Sequence, residues 1–151
     1  MFDKLKKRFR SEENMLMTHN VYISYSSMDK EFADEVCQFL ENNDLKCWIA
    51  PRNICAGRNY VEEIIDGIKS AKVAVLIFSR NSNASKYVCN EIRVAFERNM
   101  PIFALNIDES FPSDEMEFYL GNVHWIVAWE DKENALERLV EDIKYRIYDS
   151  G

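Results

Sequence analysis

Residues 72–78 read KVAVLIF, and after the lysine the run is apolar without a break. A strand with one face in water alternates apolar and polar residues, whereas a parallel-sheet strand covered on both faces is apolar along its length. The segment therefore predicts the central strand of an α/β protein. The polar stretch from Ser79 to Ala84 is interpreted as the loop that follows it.

Further β-rich runs lie on both sides of this segment, separated by stretches whose apolar residues recur at helical spacing. The predicted strands are residues 21–25, 45–49, 72–78, 101–105 and 123–127. Strands that alternate with helices imply right-handed crossovers and a parallel sheet. We predict a flavodoxin-like sheet of five parallel strands in the order 2-1-3-4-5, with helices on both faces.

The predicted helices carry recognisable start signals and apolar stripes. Ser27 is the predicted N-cap of the first helix, and Phe32, Val36 and Leu40 lie on its apolar face. Pro51 and Gly57 indicate a loop over residues 50–59. Residues 108–117 are interpreted as an acidic, solvated loop with a short helix.

In an open sheet of order 2-1-3-4-5, ligands bind where the carboxyl ends of strands 1 and 3 diverge. The loop after strand 1 contains Tyr25, Ser26 and Ser27, and the loop after strand 3 leads to Tyr87 and Glu91. Glu91 lies at the edge of an apolar helical arc, one turn after Tyr87. Burial of an unpaired carboxylate is costly, so Glu91 is either a functional group or a solvated glutamate near a helix start.

Composition narrows the class of protein. The chain has 151 residues and 47% hydrophobic content, which predicts one domain with a sizeable core. The net charge of −7 disfavours a general nucleic-acid binder. The sequence shows neither a membrane span nor a signal peptide, so we expect a cytoplasmic protein.

Residues 1–19 are predicted to be a basic N-terminal tail or short helix, and residues 20–151 to be the folded domain. A frayed tail and a segment that docks to a membrane surface or partner both fit residues 1–19. The four cysteines have no C-x-x-C spacing, so no metal site is expected, and three of them lie among apolar residues as buried thiols do.

Several classes of protein that commonly have this fold carry sequence motifs that are absent here. Neither phosphate-binding glycine motif is present, which disfavours dinucleotide-binding proteins of the Rossmann type and NTPases. Ser79 stands where a response regulator needs a phospho-accepting aspartate, and no G-x-S-x-G elbow supports a serine hydrolase. Flavin binding stays an alternative function, because no motif in the sequence decides against it. Cys89 lies near a helix start but has no histidine at a readable spacing, so it is interpreted as packed.

Three segments, taken in order, resemble the Toll/interleukin-1 receptor (TIR) domain family of the kind common in bacteria. They are VYISYS at 21–26, CWIAPRNICAG at 47–57, and IFS at 77–79 continuing to Tyr87 and Glu91. The resemblance spans residues 21–148. Three positions depart from the family: Tyr87, where tryptophan is more frequent, Ala50, where an acidic residue is common, and Ala56 before Gly57, where proline is common.

The resemblance implies a choice between two functions. In NAD-cleaving members, a glutamate four residues after an aromatic residue is catalytic, which corresponds here to Glu91 after Tyr87. The substrate-binding residues implied are Tyr25, Ser26, Ser27, Gly57, Arg58 and Tyr87, with Arg58 as a phosphate contact. The alternative is a non-catalytic module for TIR–TIR interaction, and a nucleoside-processing transferase is a third hypothesis.

The catalytic alternative carries further expectations. NAD is then the substrate, with no cofactor and no metal, and nicotinamide leaves together with ADP-ribose or a cyclic isomer of it. The resemblance also implies homo-oligomers whose sites are completed by a neighbouring subunit. A catalytic member acts either by depleting NAD or by releasing a diffusible nucleotide, and the second mode resembles an anti-phage immune signal that a separate effector senses.

Overall fold

The computed structural model describes residues 18–149 and contains one five-stranded parallel sheet. The strands are β1 His19–Ser24, β2 Cys47–Trp48, β3 Ala71–Phe78, β4 Ile102–Asn106 and β5 His124–Val127. Their order is β2-β1-β3-β4-β5, and every neighbouring pair is parallel. The predicted fold class is confirmed.

Helices connect the strands and cover both faces of the sheet. They are α1 Lys30–Asn42, α2 Tyr60–Lys69, α3 Arg80–Asn83, α4 Lys86–Glu97, α5 Asp114–Leu120 and α6 Lys132–Lys144. A 3-10 turn, Ser27–Asp29, precedes α1, and a π-helical turn, Tyr145–Asp149, follows α6. Among residues 18–149, none of the helices combines the length and the hydropathy needed to cross a bilayer.

Strand β3 lies at the centre of the sheet and is buried on both faces, as its apolar sequence predicts. Val73, Val75 and Ile77 pack in one core with α1 and α6. Ala74 and Leu76 pack in the other core with α2, α4 and α5. The two cores leave no polar face on this strand, which explains its continuous apolar run.

The start of the first helix differs from its prediction. Ser27 was predicted as the N-cap, but the Ser26 hydroxyl accepts the hydrogen bond from the Met28 N–H, at 3.3 Å. Ser26 therefore caps the 3-10 turn, and α1 begins only at Lys30. The adjacent serines offer the same capping chemistry, and the bend of the chain selects the first.

The prediction of a loop from Ser79 to Ala84 is also wrong in part, because this stretch contains the short helix α3. The Ser79 hydroxyl accepts from the Ser82 N–H, and the Ser82 hydroxyl accepts from the Ser79 N–H. This reciprocal pair of bonds satisfies two backbone donors that a helix start leaves open. Strand β2 is shorter than the predicted 45–49, with ladder pairing at Cys47 and Trp48 alone.

The predicted tail overlaps the fold by one residue, since β1 begins at His19 and pairs there with Ala71. Residues 1–17 of the predicted tail lie outside the described residues. Cys37, Cys47 and Cys89 are buried and Cys55 is exposed, so the expectation of three packed thiols is confirmed.

Candidate active site

Glu91 lies in the middle of α4, which begins after Ser85, whose hydroxyl accepts from the Val88 N–H at 3.2 Å. The glutamate side chain is half-buried and points toward β1. There the Tyr22 hydroxyl donates a short hydrogen bond to Glu91 Oε1. The predicted position at the edge of an apolar arc is therefore correct, and the structure adds a partner 69 residues away in the chain.

The surroundings of Glu91 raise the pKa of its carboxyl group. Burial raises the pKa of the Glu91 carboxyl to about 7, while the hydrogen bond from Tyr22 and the nearby Ser24 hydroxyl oppose that rise. No lysine, arginine or histidine of residues 18–149 pairs with this carboxyl. Near neutral pH the group is thus divided between its acid and its carboxylate.

A cavity of about 380 Å³ opens beside Glu91 at the carboxyl end of β1. Its lining combines a carboxyl group, tyrosine rings and serine hydroxyls, with few apolar side chains. It is lined by Ile23, Tyr25, Ser26, Ser27, Ala50, Tyr60, Ser85, Tyr87 and Glu91. We refer to this cavity as the Glu91 cleft.

A second cavity of about 220 Å³, between α2 and α4, also reaches Glu91. Its walls are mostly apolar, with Ile64, Ile65 and Val94 among them. Tyr60 and Tyr87 line both cavities. The carboxyl group therefore lies where a polar cleft and an apolar groove meet.

The segments that follow β1 and β3 are joined by side-chain hydrogen bonds. The Asp29 carboxylate accepts from the Ser79 hydroxyl at 2.5 Å and from the Asn81 side-chain amide at 2.9 Å. Charge-assisted bonds of this kind are stronger than neutral ones. They fix the distance between the two loops at the switch point, which is where the fold predicts a ligand.

Five predicted site residues, Tyr25, Ser26, Ser27, Tyr87 and Glu91, line the same cleft. The other two, Gly57 and Arg58, are outside its lining. Gly57 has a positive φ of 83° in the exposed loop before α2, and Arg58 Nε lies 3.7 Å from Glu63. Their roles in binding stay predictions.

The sequence reasoning missed Tyr22 and Tyr60. Tyr22 is buried in β1, where its neighbours Val21 and Ile23 are apolar. A tyrosine in such a strand must find a partner for its hydroxyl, and that was the available signal. Tyr60 is the first residue of α2 and follows the predicted loop, with no pattern that marks it as a site residue.

Away from the cleft, one cluster of the described residues carries side chains that could bind a metal ion. Cys37, Glu41 and Cys47 place their ligand atoms within 4.8 Å of one another. However, the Arg52 guanidinium donates to both Glu41 oxygens, at 2.7 and 2.9 Å, and to the Cys47 carbonyl at 2.7 Å. Because Arg52 occupies the carboxylate, we interpret these four residues, here called the Arg52 cluster, as structural.

The fold and this site define an α/β domain with a carboxylate-lined cleft at its switch point. The family model of the TIR domain matches residues 21–140. The chain belongs to the TIR domain family.

Relatives and solved structures agree with this assignment. The chain is 29% identical to the probable 2′ cyclic ADP-D-ribose synthase TcpO of Methanobrevibacter olleyae, over 85% of this chain and 38% of that protein. The chain thus spans less than two fifths of that relative's length.

The TIR domain of the Toll-related receptor TRR-2 from Hydra magnipapillata aligns with a TM-score of 0.71 and 19% identity, covering 84% of this chain and 99% of that one. A TIR-STING receptor from C. gigas, in complex with 2′,3′-cGAMP, aligns with a TM-score of 0.68 and 20% identity, covering 85% and 40%. These structures share the fold.

Proposed function

We propose that this TIR domain cleaves the bond between nicotinamide and ribose in NAD. The observation that carries the proposal is the half-buried Glu91 carboxyl, which lines the cleft and has no cationic partner in residues 18–149. A carboxylate held without a cation is costly in a purely structural role. It becomes useful when a ligand brings the positive charge.

The chemistry of NAD suits a single carboxylate. Most glycosidases need a second carboxyl group to protonate a poor leaving group. Nicotinamide is bound to ribose as a pyridinium, so when the C1′–N bond breaks, the electron pair neutralises the ring nitrogen and no acid is required. What remains is an oxocarbenium-like ribose, whose charge a pre-placed Glu91 carboxylate stabilises.

The other cleft residues have roles that follow from their places. The exposed Tyr87 ring is available to stack on nicotinamide or ribose. Tyr25, Ser26 and Ser27 form the wall nearest β1, although the Ser26 hydroxyl is already engaged as a helix cap. Arg58 contacts a phosphate only if the loop before α2 moves toward the cleft.

The fate of the sugar cation decides the product. Water gives ADP-ribose and a proton, whereas a hydroxyl of the same molecule gives a cyclic isomer and a proton. Similarity to the Methanobrevibacter relative, a probable 2′ cyclic ADP-D-ribose synthase, supports cyclisation. We propose a cyclic product, released as a signal in immune defence for a separate effector, by a cytoplasmic protein that self-associates.

The test is chromatography of the products after concentrated protein is incubated with NAD. Glu91→Gln should lower nicotinamide release at least about 100-fold, the usual cost of removing one group that stabilises transition-state charge. Glu97→Gln is the matched control, because Glu97 is an exposed glutamate of the same helix, paired with Arg93 at 3.2 Å. Equal rates in the parent and Glu91→Gln contradict the proposal. A parent that releases no nicotinamide at any concentration indicates the interaction module instead.

A further inference from the structure

The Tyr22 ring is buried and held against a second aromatic ring. It is 1% exposed and stacks on the Trp48 indole, with ring centres 5.1 Å apart and planes 15° from parallel. Trp48 in turn packs against Gly67 of α2, where an added Cβ would lie 2.4 Å from the indole. The absence of a side chain at Gly67 lets the indole press against α2, so the Tyr22 ring has little freedom to move.

Packing explains the Tyr22 ring but does not explain its hydroxyl group. Phenylalanine would fill the same space beside Trp48, with no polar group to bury. A buried hydroxyl is costly unless it is hydrogen-bonded, and this one donates to Glu91 Oε1. The rigid end of β1 thereby holds the flexible side chain of α4.

We propose that Tyr22 is a positioning residue, which holds the Glu91 carboxyl in one orientation at the wall of the cleft. The inference rests on the proposed function, because it gives that carboxyl a reacting sugar to face. The bond engages Oε1 and leaves Oε2 outside the Tyr22 contact. Pre-orientation of this kind avoids a reorganisation cost when charge develops on the substrate.

The other polar groups around Glu91 do not replace this contact. Ser24, on the same strand, lies near enough to lower the pKa of Glu91, but among the described residues its buried hydroxyl has no partner within hydrogen-bond geometry. Tyr25 and Tyr60 line the cleft, and Arg93 lines the apolar groove but bonds to Glu97. A donor bond favours the charged form of a carboxyl, so loss of the Tyr22 hydroxyl should raise the pKa of Glu91 further.

The experiment compares the parent with Tyr22→Phe, which removes the hydroxyl and keeps the ring. Tyr119→Phe is the control, because the Tyr119 ring packs on Phe96 and Phe118, away from the cleft. The first readout is the carbon-13 NMR titration of the Glu91 carboxyl, identified by its loss in Glu91→Gln. We expect its midpoint to rise by about one pH unit in Tyr22→Phe and to stay unchanged in Tyr119→Phe.

The second readout is nicotinamide release. We expect kcat to fall about tenfold in Tyr22→Phe with KM for NAD nearly unchanged, because orientation matters most in the transition state. If Tyr22 had a purely structural role, Tyr22→Phe would lower the stability of the protein without changing the titration midpoint of Glu91. A folded Tyr22→Phe protein with the parent's Glu91 midpoint, or with the parent's kcat, overturns the inference.

The two readouts separate this inference from the proposed function. The titration needs no turnover, so it tests the Tyr22 contact even in a protein that leaves NAD intact. If Tyr22→Phe shifts the Glu91 midpoint but the parent releases no nicotinamide, the result contradicts the proposed function and, with it, the positioning role. An unshifted midpoint in an active parent would contradict the positioning role alone.

Discussion

Glu91 and Glu41 are held in opposite ways by the elements around them. In the Arg52 cluster, Glu41 receives both arms of a guanidinium, and that hydrogen bonding lowers the pKa of its carboxyl. In the Glu91 cleft, the carboxyl receives only hydroxyl partners, and burial raises its pKa to about 7. Glu41 is paired as a structural carboxylate should be, and Glu91 is not.

The difference lies in the free-energy cost of keeping each carboxylate. The Arg52 cluster joins the end of α1 to β2 and to the loop that follows it, through the Cys47 carbonyl and Glu41. In the Glu91 cleft, the hydrogen bond from Tyr22 joins β1 to α4, and an uncharged glutamine could accept the same bond. Carboxyl groups with a raised pKa in a cleft are common at functional sites, so the contrast with Glu41 supports the role proposed for Glu91.

The largest predicted effect of this contrast is on the pH dependence of activity. If only the charged form of Glu91 stabilises the sugar cation, kcat/KM for NAD should fall about 50-fold from pH 7 to pH 5, with an apparent pKa near 7. Initial rates of nicotinamide release across this range provide the measurement. A rate that stays level down to pH 5 would show that the protonated group suffices.

The next effect is on stability, at the other glutamate. Glu41→Gln should lower the free energy of unfolding by about 1 kcal/mol at pH 7, since the pair with Arg52 is bidentate but partly exposed. The folded-state pKa of Glu41 is depressed, so the contribution is present above the ordinary glutamate pKa and is lost as the pH falls through the depressed value. Urea unfolding at pH 7 and in acid measures both. An unchanged stability at pH 7 would remove the structural role of the Arg52 cluster.

The smallest effect concerns Arg58, which is mostly exposed and lies 3.7 Å from Glu63. Arg58→Ala should change the free energy of unfolding by less than about 1 kcal/mol. If the loop carries Arg58 to a phosphate of NAD, KM should rise about three- to tenfold with kcat preserved. Steady-state kinetics with NAD decide this, and an unaltered KM leaves the loop without a part in binding.

The order of the strands followed from the sequence because each strand or helix carries its own signal. The apolar run of β3 identifies a central strand, and stripes such as Leu136, Leu139 and Ile143 identify α6. The short helix α3 has no such stripe. Its start depends on reciprocal bonds of Ser79 and Ser82 and on the Asp108 carboxylate, which accepts from the Arg80 N–H at 2.8 Å.

The candidate site was only partly visible in the sequence. Tyr25 and Ser26 lie next to one another in the loop after β1. The rule that ligands bind at the switch point of the sheet was therefore enough to predict that they line the cleft. The pairing of Tyr22 with Glu91 depends on how far α4 lies along β1, and it spans 69 residues. Residue spacing within a helix or strand does not determine that offset.

The most direct test of this account is the free energy of unfolding of Glu91→Gln relative to the parent, measured by urea from pH 4 to pH 8. Glutamine keeps an oxygen for the Tyr22 hydroxyl and removes the charge. Since the folded-state pKa is raised from 4.5 to about 7, the parent loses stability as pH rises through this window. We predict that Glu91→Gln is more stable by about 3 kcal/mol at pH 8 and equal to the parent at pH 4. A Glu91→Gln protein that is less stable than the parent at pH 8, or a difference that does not vary with pH, would contradict a carboxylate kept for function.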